Sequence, residues 1–209
     1  MATTTQQEPE HLRITYNDVH NLIRESAKKI AEWKPDMLIA IGFFPARVLR
    51  TFLKSPERKG NIPIHAIGLS LYESLPGMTA EQIGAEVIRT QWLGPESGKI
   101  LLGRRALIVV STFKPISHLL RGIYAVTELQ KDVERELALL PESEREAKRT
   151  KFAVFVVHNK LKPKLAEIPA EIPYYAGDEI EDVWDIEEHD RLAEQSKAKK
   201  RQAQAQASS

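Results

Sequence analysis

The sequence has no cysteine among its 209 residues, which removes disulfide frameworks and thiolate metal sites from consideration. It also lacks a long apolar run. The longest uncharged one, MLIAIGFFPA from Met37 to Ala46, is too short to span a bilayer, and the N-terminal MATTTQQEPE has no apolar signal-peptide core. Net charge is scarce too, +1 from 30 basic and 29 acidic side chains, and the basic excess is confined to the end of the chain. There Lys197, Lys199, Lys200 and Arg201 lie in a segment with almost nothing apolar to bury. The expectation is a soluble, cytoplasmic protein with neither a nucleic-acid nor a membrane partner.

What is present suffices for one core. With 42% hydrophobic residues, a chain of this length is expected to form a single domain over residues 11 to 192. Residues 1 to 10 are expected to be a disordered N-terminus and residues 193 to 209 a disordered basic tail. Residues 16 to 33 are predicted to be an amphipathic helix. Val19, Leu22, Ile23, Ile30 and Trp33 recur at helical spacing, Asn21, Arg24, Glu25 and Lys28 take the other side, and Lys34-Pro35 ends it.

Four aliphatic runs come next: MLIAIG (37 to 42), IPIHAIGLSLY (62 to 72), RALIVV (105 to 110) and KFAVFVVH (151 to 158). Runs of this length without strict alternation suit strands buried on both faces. Between them lie helical patterns, ARVLRTFLK after the first run and a longer one from about Ile123 to Leu140. Residues 141 to 150 are expected to be a charged surface linker or helix extension. This alternation predicts an α/β fold, a mainly parallel sheet flanked by helices. Ligands of such sheets sit at the carboxyl ends of the strands, so the loops after Ile41, Tyr72, Val110 and Val157 are where chemistry is sought.

These loops bring a resemblance into view. HLRITYNDVHNLI, KPDMLIAIG, FFPARVLRTFLK, IGLSLYE, VIRTQWL, ALIV, YAVTELQKDVE and FAVFVVHNKLKP, in this order, resemble the fungal 6-oxopurine phosphoribosyltransferases over roughly residues 11 to 192. The resemblance implies a type I phosphoribosyltransferase-like fold with a small hood. It also implies purine salvage: transfer of ribose 5-phosphate from phosphoribosyl pyrophosphate to xanthine, hypoxanthine or guanine, with Mg2+ and in a homodimer.

Three active-site loops depart from the family pattern. The family places a run of glycines after its first strand, but here a single Gly42 leads into Phe43-Phe44-Pro45. The family's acid-rich phosphate motif is missing, and Val110 to Gly122 contain no Asp or Glu. The family's Tyr-Pro-Trp segment is also missing, as EDVWDIEEHDRL passes directly from Trp184 to Asp185. Ser111, Thr112 and Ser117 offer hydroxyls and Lys114 a charge, so with the amides of the next helix they form a candidate 5′-phosphate cradle. Nothing in that segment can chelate a divalent ion or accept the purine proton, so turnover by the family's route is expected to fall by orders of magnitude. The alternatives are a non-catalytic nucleotide-binding relative or partner subunit, or the product of a mis-spliced message, since an intron start read in frame also encodes Val-Ser.

The resemblance assigns further candidates. Gly42 and Arg47 belong to the pyrophosphate loop, with Arg50 beside them. Ser70, Tyr72 and Arg89 belong to the hood, which is expected over residues 73 to 99. Lys160 matches the lysine that donates to the purine 6-oxygen, and Trp184 the aromatic that stacks on the purine. Each has a plainer reading: a turn glycine, surface cations, a solvent-facing strand arginine, a loop lysine and an edge tryptophan. His158 is read as a hydrogen-bonded structural histidine. Asp185, Glu188 and His189 have metal-like residue types but are read as a solvent-facing helical surface. No catalytic carboxylate or metal ligand set is assigned.

Overall fold

The structure, a computed structural model, describes residues 11–54, 60–71, 87–110, 117–160, 168–180 and 184–187. In chain order the elements are β1 (His11–Ile14), α1 (Tyr16–Trp33), β2 (Met37–Ile41), α2 (Phe43–Phe52), β3 (Ile64–Ala66), β4 (Gly68–Leu71) and β5 (Val87–Gln91). Then come α3 (Ser97–Leu101), β6 (Arg105–Val110), α4 (Ser117–Ala138), α5 (Glu142–Arg145), β7 (Lys151–Lys160), β8 (Tyr174–Ile180) and β9 (Trp184–Glu187).

The first helix has the predicted bounds because both ends carry their own stop signals. Thr15 accepts from the Asp18 amide while the Asp18 carboxylate accepts from the Thr15 amide, a reciprocal capping box. At the other end Lys34 turns left-handed at φ 55° and its amide donates to Ala31 O before Pro35. Its apolar stripe, Val19, Ile23, Ala27 and Ile30, is buried.

The central sheet has five strands in the order β3-β2-β6-β7-β8, every neighbouring pair parallel. Met37, Ile39, Ile41, Ala106, Ile108, Val110, Phe152, Val154 and Val156 point to one face, under Leu101 of α3 and Ala125, Val126, Leu129 and Val133 of α4. Leu38, Ala40, Leu107, Val109, Ala153, Phe155 and Val157 point to the other, under Ile23 and Ile30 of α1 and Leu49 of α2. Burial on both faces is why these strands read as continuous aliphatic runs. The expected parallel sheet with helices on its faces is therefore present.

Four elements differ from expectation. The run 62–72 is two strands, because the chain leaves the central sheet after Ala66. Gly68–Leu71 pairs instead with β5 in a separate antiparallel sheet, the described part of the hood. The second helix begins at Phe43, three residues before the predicted ARVLRTFLK. The long helix begins at Ser117 rather than near Ile123. Asp185 lies in β9, a strand parallel to β1, not on a helix; Glu188 and His189 lie outside the described residues. Residues 141–150 contain the short helix α5, an allowed outcome of the linker reading.

The fifth strand of the sheet, β8, carried no sequence signal. Its sequence YYAGDEI is half-exposed at the sheet edge, so it lacks an aliphatic run. Gly177 explains part of the choice: a Cβ there would collide with the Val157 carbonyl oxygen.

Candidate functional site

Strand order fixes where a ligand can enter. In chain order the five strands run second, first, third, fourth, fifth, so the connections diverge to opposite sides between β2 and β6. In doubly wound sheets the crevice at that reversal is the binding place. The strand ends Ile41 and Val110 flank it, and those two residues are paired across the strands.

After Ile41 the chain turns at Gly42, whose φ of 104° is one that only glycine adopts without strain. Gly42 is the N-cap of α2 and supplies no side-chain cap. The helix opens with Phe43, 52% exposed, and Phe44, 43% exposed. Pro45 and Ala46 are buried under the helix, Arg47 is exposed and Arg50 half-buried. The Phe44 ring meets Tyr16 edge-on, with centroids 5.3 Å apart. That contact brings the amino end of α1 beside the amino end of α2, on the carboxyl side of the sheet.

After Val110 the chain enters residues 111–116, outside the described residues, so Ser111, Thr112 and Lys114 are not placed. The helix α4 begins at Ser117 and packs closely on the sheet, with Gly122 set so that a Cβ would be 3.6 Å from both Val110 and Val154. Lys160 is the last residue of β7 and pairs with Ile180 of β8, so its backbone stands at the same carboxyl edge as Gly42. Trp184 opens β9 opposite His11. Ser70 lies in β4 opposite Ile88, and Tyr72 lies outside the described residues.

Arg89 is exposed on hood strand β5, and its side chain reaches across to α4. Its guanidinium lies over the Trp92 ring at 4.3 Å and near the Tyr124 ring at 5.7 Å. Nε donates to Tyr124 Oη at 3.2 Å, and the guanidinium pairs with Glu128. These partners hold Arg89 between the hood and α4. His158 is buried at 5% exposure, and its charge helps, as the smallest of the causes, to hold Asp18 below the usual carboxylate value. The main cause there is the pair of hydrogen bonds from Thr15.

Sequence reasoning missed two features of this edge. One is the exposed trio Tyr16, Phe43 and Phe44, whose signal was two aromatic residues directly after a strand-ending glycine. The other is the carboxyl end of β8, where Asp178 and Glu179 are exposed and the Glu179 carboxylate accepts from buried Asn159 at 3.4 Å. Nearby Tyr174 is pushed up to about 12, first by burial and then by Glu179.

The divalent ion implied by the resemblance meets an unsuitable donor set. Mg2+ takes carboxylate and phosphate oxygens, whereas the segment after β6 reads Ser-Thr-Phe-Lys-Pro-Ile. Among the described residues no group of three His, Asp or Glu side chains could hold a metal.

Comparison with known proteins completes the picture. No family profile matches the chain. It is 45% identical over 203 residues to a hypoxanthine-guanine phosphoribosyltransferase of Schizosaccharomyces pombe, covering 88% of this chain and 94% of the relative. It is 41% identical over 213 residues to xanthine phosphoribosyltransferase 1 of Saccharomyces cerevisiae, covering 89% and 96%. Among solved structures, a hypothetical protein of Neisseria gonorrhoeae with bound ppGpp superposes with a TM-score of 0.64 at 31% identity, covering 91% of this chain and 99% of that one. In the first alignment 88% of 209 residues is about 184, so about 19 of the 203 aligned positions face gaps in this chain.

Proposed function

The chain belongs to the family of fungal 6-oxopurine phosphoribosyltransferases, and on that premise we propose a purine-salvage reaction run at the carboxyl ends of β2, β6 and β7. The substrates are phosphoribosyl pyrophosphate and xanthine, hypoxanthine or guanine; the products are the nucleoside 5′-monophosphate and pyrophosphate. The observation that carries this is identity of 45% over 203 aligned residues that cover 88% of the chain; a parallel sheet whose strands end at one edge supports it.

The roles are those that the family resemblance assigns. The amino end of α4, with Ser111, Thr112 and Lys114 ahead of it, holds the 5′-phosphate through free amides, hydroxyls and one cation. Lys160, at the end of β7, donates to the purine 6-oxygen and rejects a 6-amino group, which has no lone pair to offer. Trp184 stacks on the base. Gly42 and Arg47 stand at the pyrophosphate end, and Ser70, Tyr72 and Arg89 belong to the hood. We further propose a homodimer working in the cytoplasm. A bound guanine nucleotide in the Neisseria relative accords with a purine nucleotide site.

Rate is where this chain parts from its relatives. The departing pyrophosphate leaves positive charge on the ribose, and the purine must lose a proton. No carboxylate comes after Val110 to serve either need before Gly122. A missing general base alone lowers turnover by about 10²–10⁴. A reading as a non-catalytic partner subunit is not favoured, because the relatives aligned along nearly the whole chain are themselves phosphoribosyltransferases.

The test is nucleotide synthesis by purified chain from a host lacking purine-salvage enzymes, supplied with phosphoribosyl pyrophosphate and each oxopurine in turn. Monophosphate formation above the protein-free blank, about 10²–10⁴ below the Schizosaccharomyces pombe relative, is expected. Absence of both turnover and calorimetric binding of any purine monophosphate would sink the proposal.

A further inference from the structure

We propose that Glu179 is a positioning residue for oxopurine selectivity: its carboxylate holds the Asn159 carboxamide and so fixes the end of β7, from which Lys160 reads the purine 6-oxygen. This rests on the role given to Lys160 in the proposed function and adds to it the group that keeps that strand end in place.

The end of β7 has a strand on one side only. β6 stops at Val110, which pairs with Val156, whereas β7 runs on to Lys160. Beyond Val156 the ladder continues with β8 alone, through His158 to Asp178, Asn159 to Glu179 and Lys160 to Ile180. β8 is itself the outer strand of the sheet. Local opening costs least at such ends, so backbone pairing by itself leaves Lys160 loosely set.

Asn159 adds a side-chain link at this place. It is 7% exposed, and its Nδ2 donates to Glu179 Oε1 at 3.4 Å. A buried carboxamide deprived of its acceptor is left with an unsatisfied donor, which favours opening of the strand end to water. The acceptor here is ionised, which strengthens a contact of this length. Glu179 is exposed as a residue, yet its charge also reaches Tyr174, where it adds to burial in raising the phenol. A carboxylate felt by both groups is turned toward the sheet. Asn159 directly precedes Lys160, and Glu179 directly precedes Ile180, the residue paired with Lys160, so a shift of this link passes straight to the lysine backbone.

Calorimetric titration of the full chain with inosine and adenosine 5′-monophosphates tests this on the wild type, Glu179→Ala and Glu179→Gln. Glu179→Ala is expected to weaken inosine 5′-monophosphate by about fivefold, part of what the Lys160 donor is worth, and to leave adenosine 5′-monophosphate within about twofold. Glu179→Gln keeps a carbonyl acceptor for Asn159 and is expected to return the ratio of the two affinities to within about twofold of the wild type. In a Lys160→Met background Glu179→Ala is expected to leave the ratio unchanged, since Glu179 acts through the lysine. Equal weakening of both nucleotides by Glu179→Ala would mark a merely structural role and overturns the proposal. An unchanged ratio in that variant, a Gln variant as poor as the Ala one, or a further fall in the Lys160→Met background also overturns it. A wild type that binds neither nucleotide, or both equally, overturns instead the reading of Lys160 beneath it.

Discussion

The guanidinium of Arg89 lies 4.3 Å from the centroid of the Trp92 ring. Arg89 is the middle residue of hood strand β5 and Trp92 follows its last residue, and both reach across to α4, Arg89 to Tyr124 and Glu128 and Trp92 through its indole N–H to Asp132 at 3.0 Å. Ser97 adds a second donor to the same buried Asp132 carboxylate at 2.7 Å. The hood is thereby tied to the helix whose amino end is the candidate phosphate cradle.

Replacing Arg89 with Ala is expected to cost about 1 kcal/mol. The guanidinium side chain is one-third exposed, so its ion pair with Glu128 is screened and contributes little beyond the ring contact. For a chain of this size that lowers the melting temperature by about 2–4 °C. Arg89→Lys restores charge without the planar fork and is expected to recover less than half of the loss. Thermal denaturation at low and high salt measures both effects; full recovery by Lys would show the contact to be only coulombic.

Substituting Gly177 with Ala is expected to be more damaging. The added Cβ would strike the Val157 carbonyl oxygen, forcing β8 away from β7, and overpacking of this kind costs about 1–3 kcal/mol. Urea denaturation should show the loss. Because β7 ends at Lys160, which pairs with Ile180 of β8, monophosphate affinity should fall together with stability. A neutral variant would mean the two strands separate easily at this point.

How much of this was readable in the chain depends on where each segment sits. The helix at residues 16–33 was fully legible, since Thr15, Asp18, Lys34 and Pro35 are local stop signals and Val19, Ile23 and Ile30 mark the buried stripe. The aliphatic runs of β2, β6 and β7 were legible because both faces are covered. By contrast β8 is an edge strand with Asp178 and Glu179 exposed, so it carries no aliphatic run to mark it, and Ala66 to Gly68 carry no aliphatic or charge signal that the chain changes sheets there. In the site, the family motifs located Gly42 and Lys160 by strand ends. The engagement of Arg89 could not be read, since Tyr124 and Glu128 are 35 and 39 residues away and only the fold brings them together.

Acid should weaken the start of α1. The Asp18 carboxyl is held below its ordinary 3.8 by hydrogen bonds from Thr15, so its contribution is complete above that value and is lost as pH falls through the lowered one. Thr15→Ala removes the cap at a cost of about 1 kcal/mol at neutral pH. The difference in stability between wild type and variant should therefore shrink below pH 3.8. Denaturant titrations at neutral pH and at the acid limit of folding measure it, and a constant difference would contradict the capping box.

At the alkaline end the phenol of Tyr174 should ionise late. Burial and then Glu179 raise its phenol from 10.0 to about 12, so the neutral form is favoured in the folded protein. Its contribution is complete below pH 10 and is lost as pH rises toward 12. Ultraviolet titration of wild type against Tyr174→Phe should assign the last phenolate signal to Tyr174. A Tyr174 signal appearing with the exposed phenols would contradict its burial.

The sharpest prediction on the reaction concerns Lys160, the final residue of β7. A charged donor to the purine 6-oxygen is worth about 1.5–3 kcal/mol, so Lys160→Met should weaken inosine 5′-monophosphate binding by about 10- to 100-fold. Adenosine 5′-monophosphate carries an amino group at that position and gains nothing from the lysine, so its affinity should barely change. The ratio between the two nucleotides therefore collapses in the variant if Lys160 reads the oxygen, whereas a lysine that merely attracts phosphate would weaken both equally. Calorimetry on both nucleotides separates these outcomes, because charge attraction is shared by the two ligands and hydrogen-bond complementarity belongs to one.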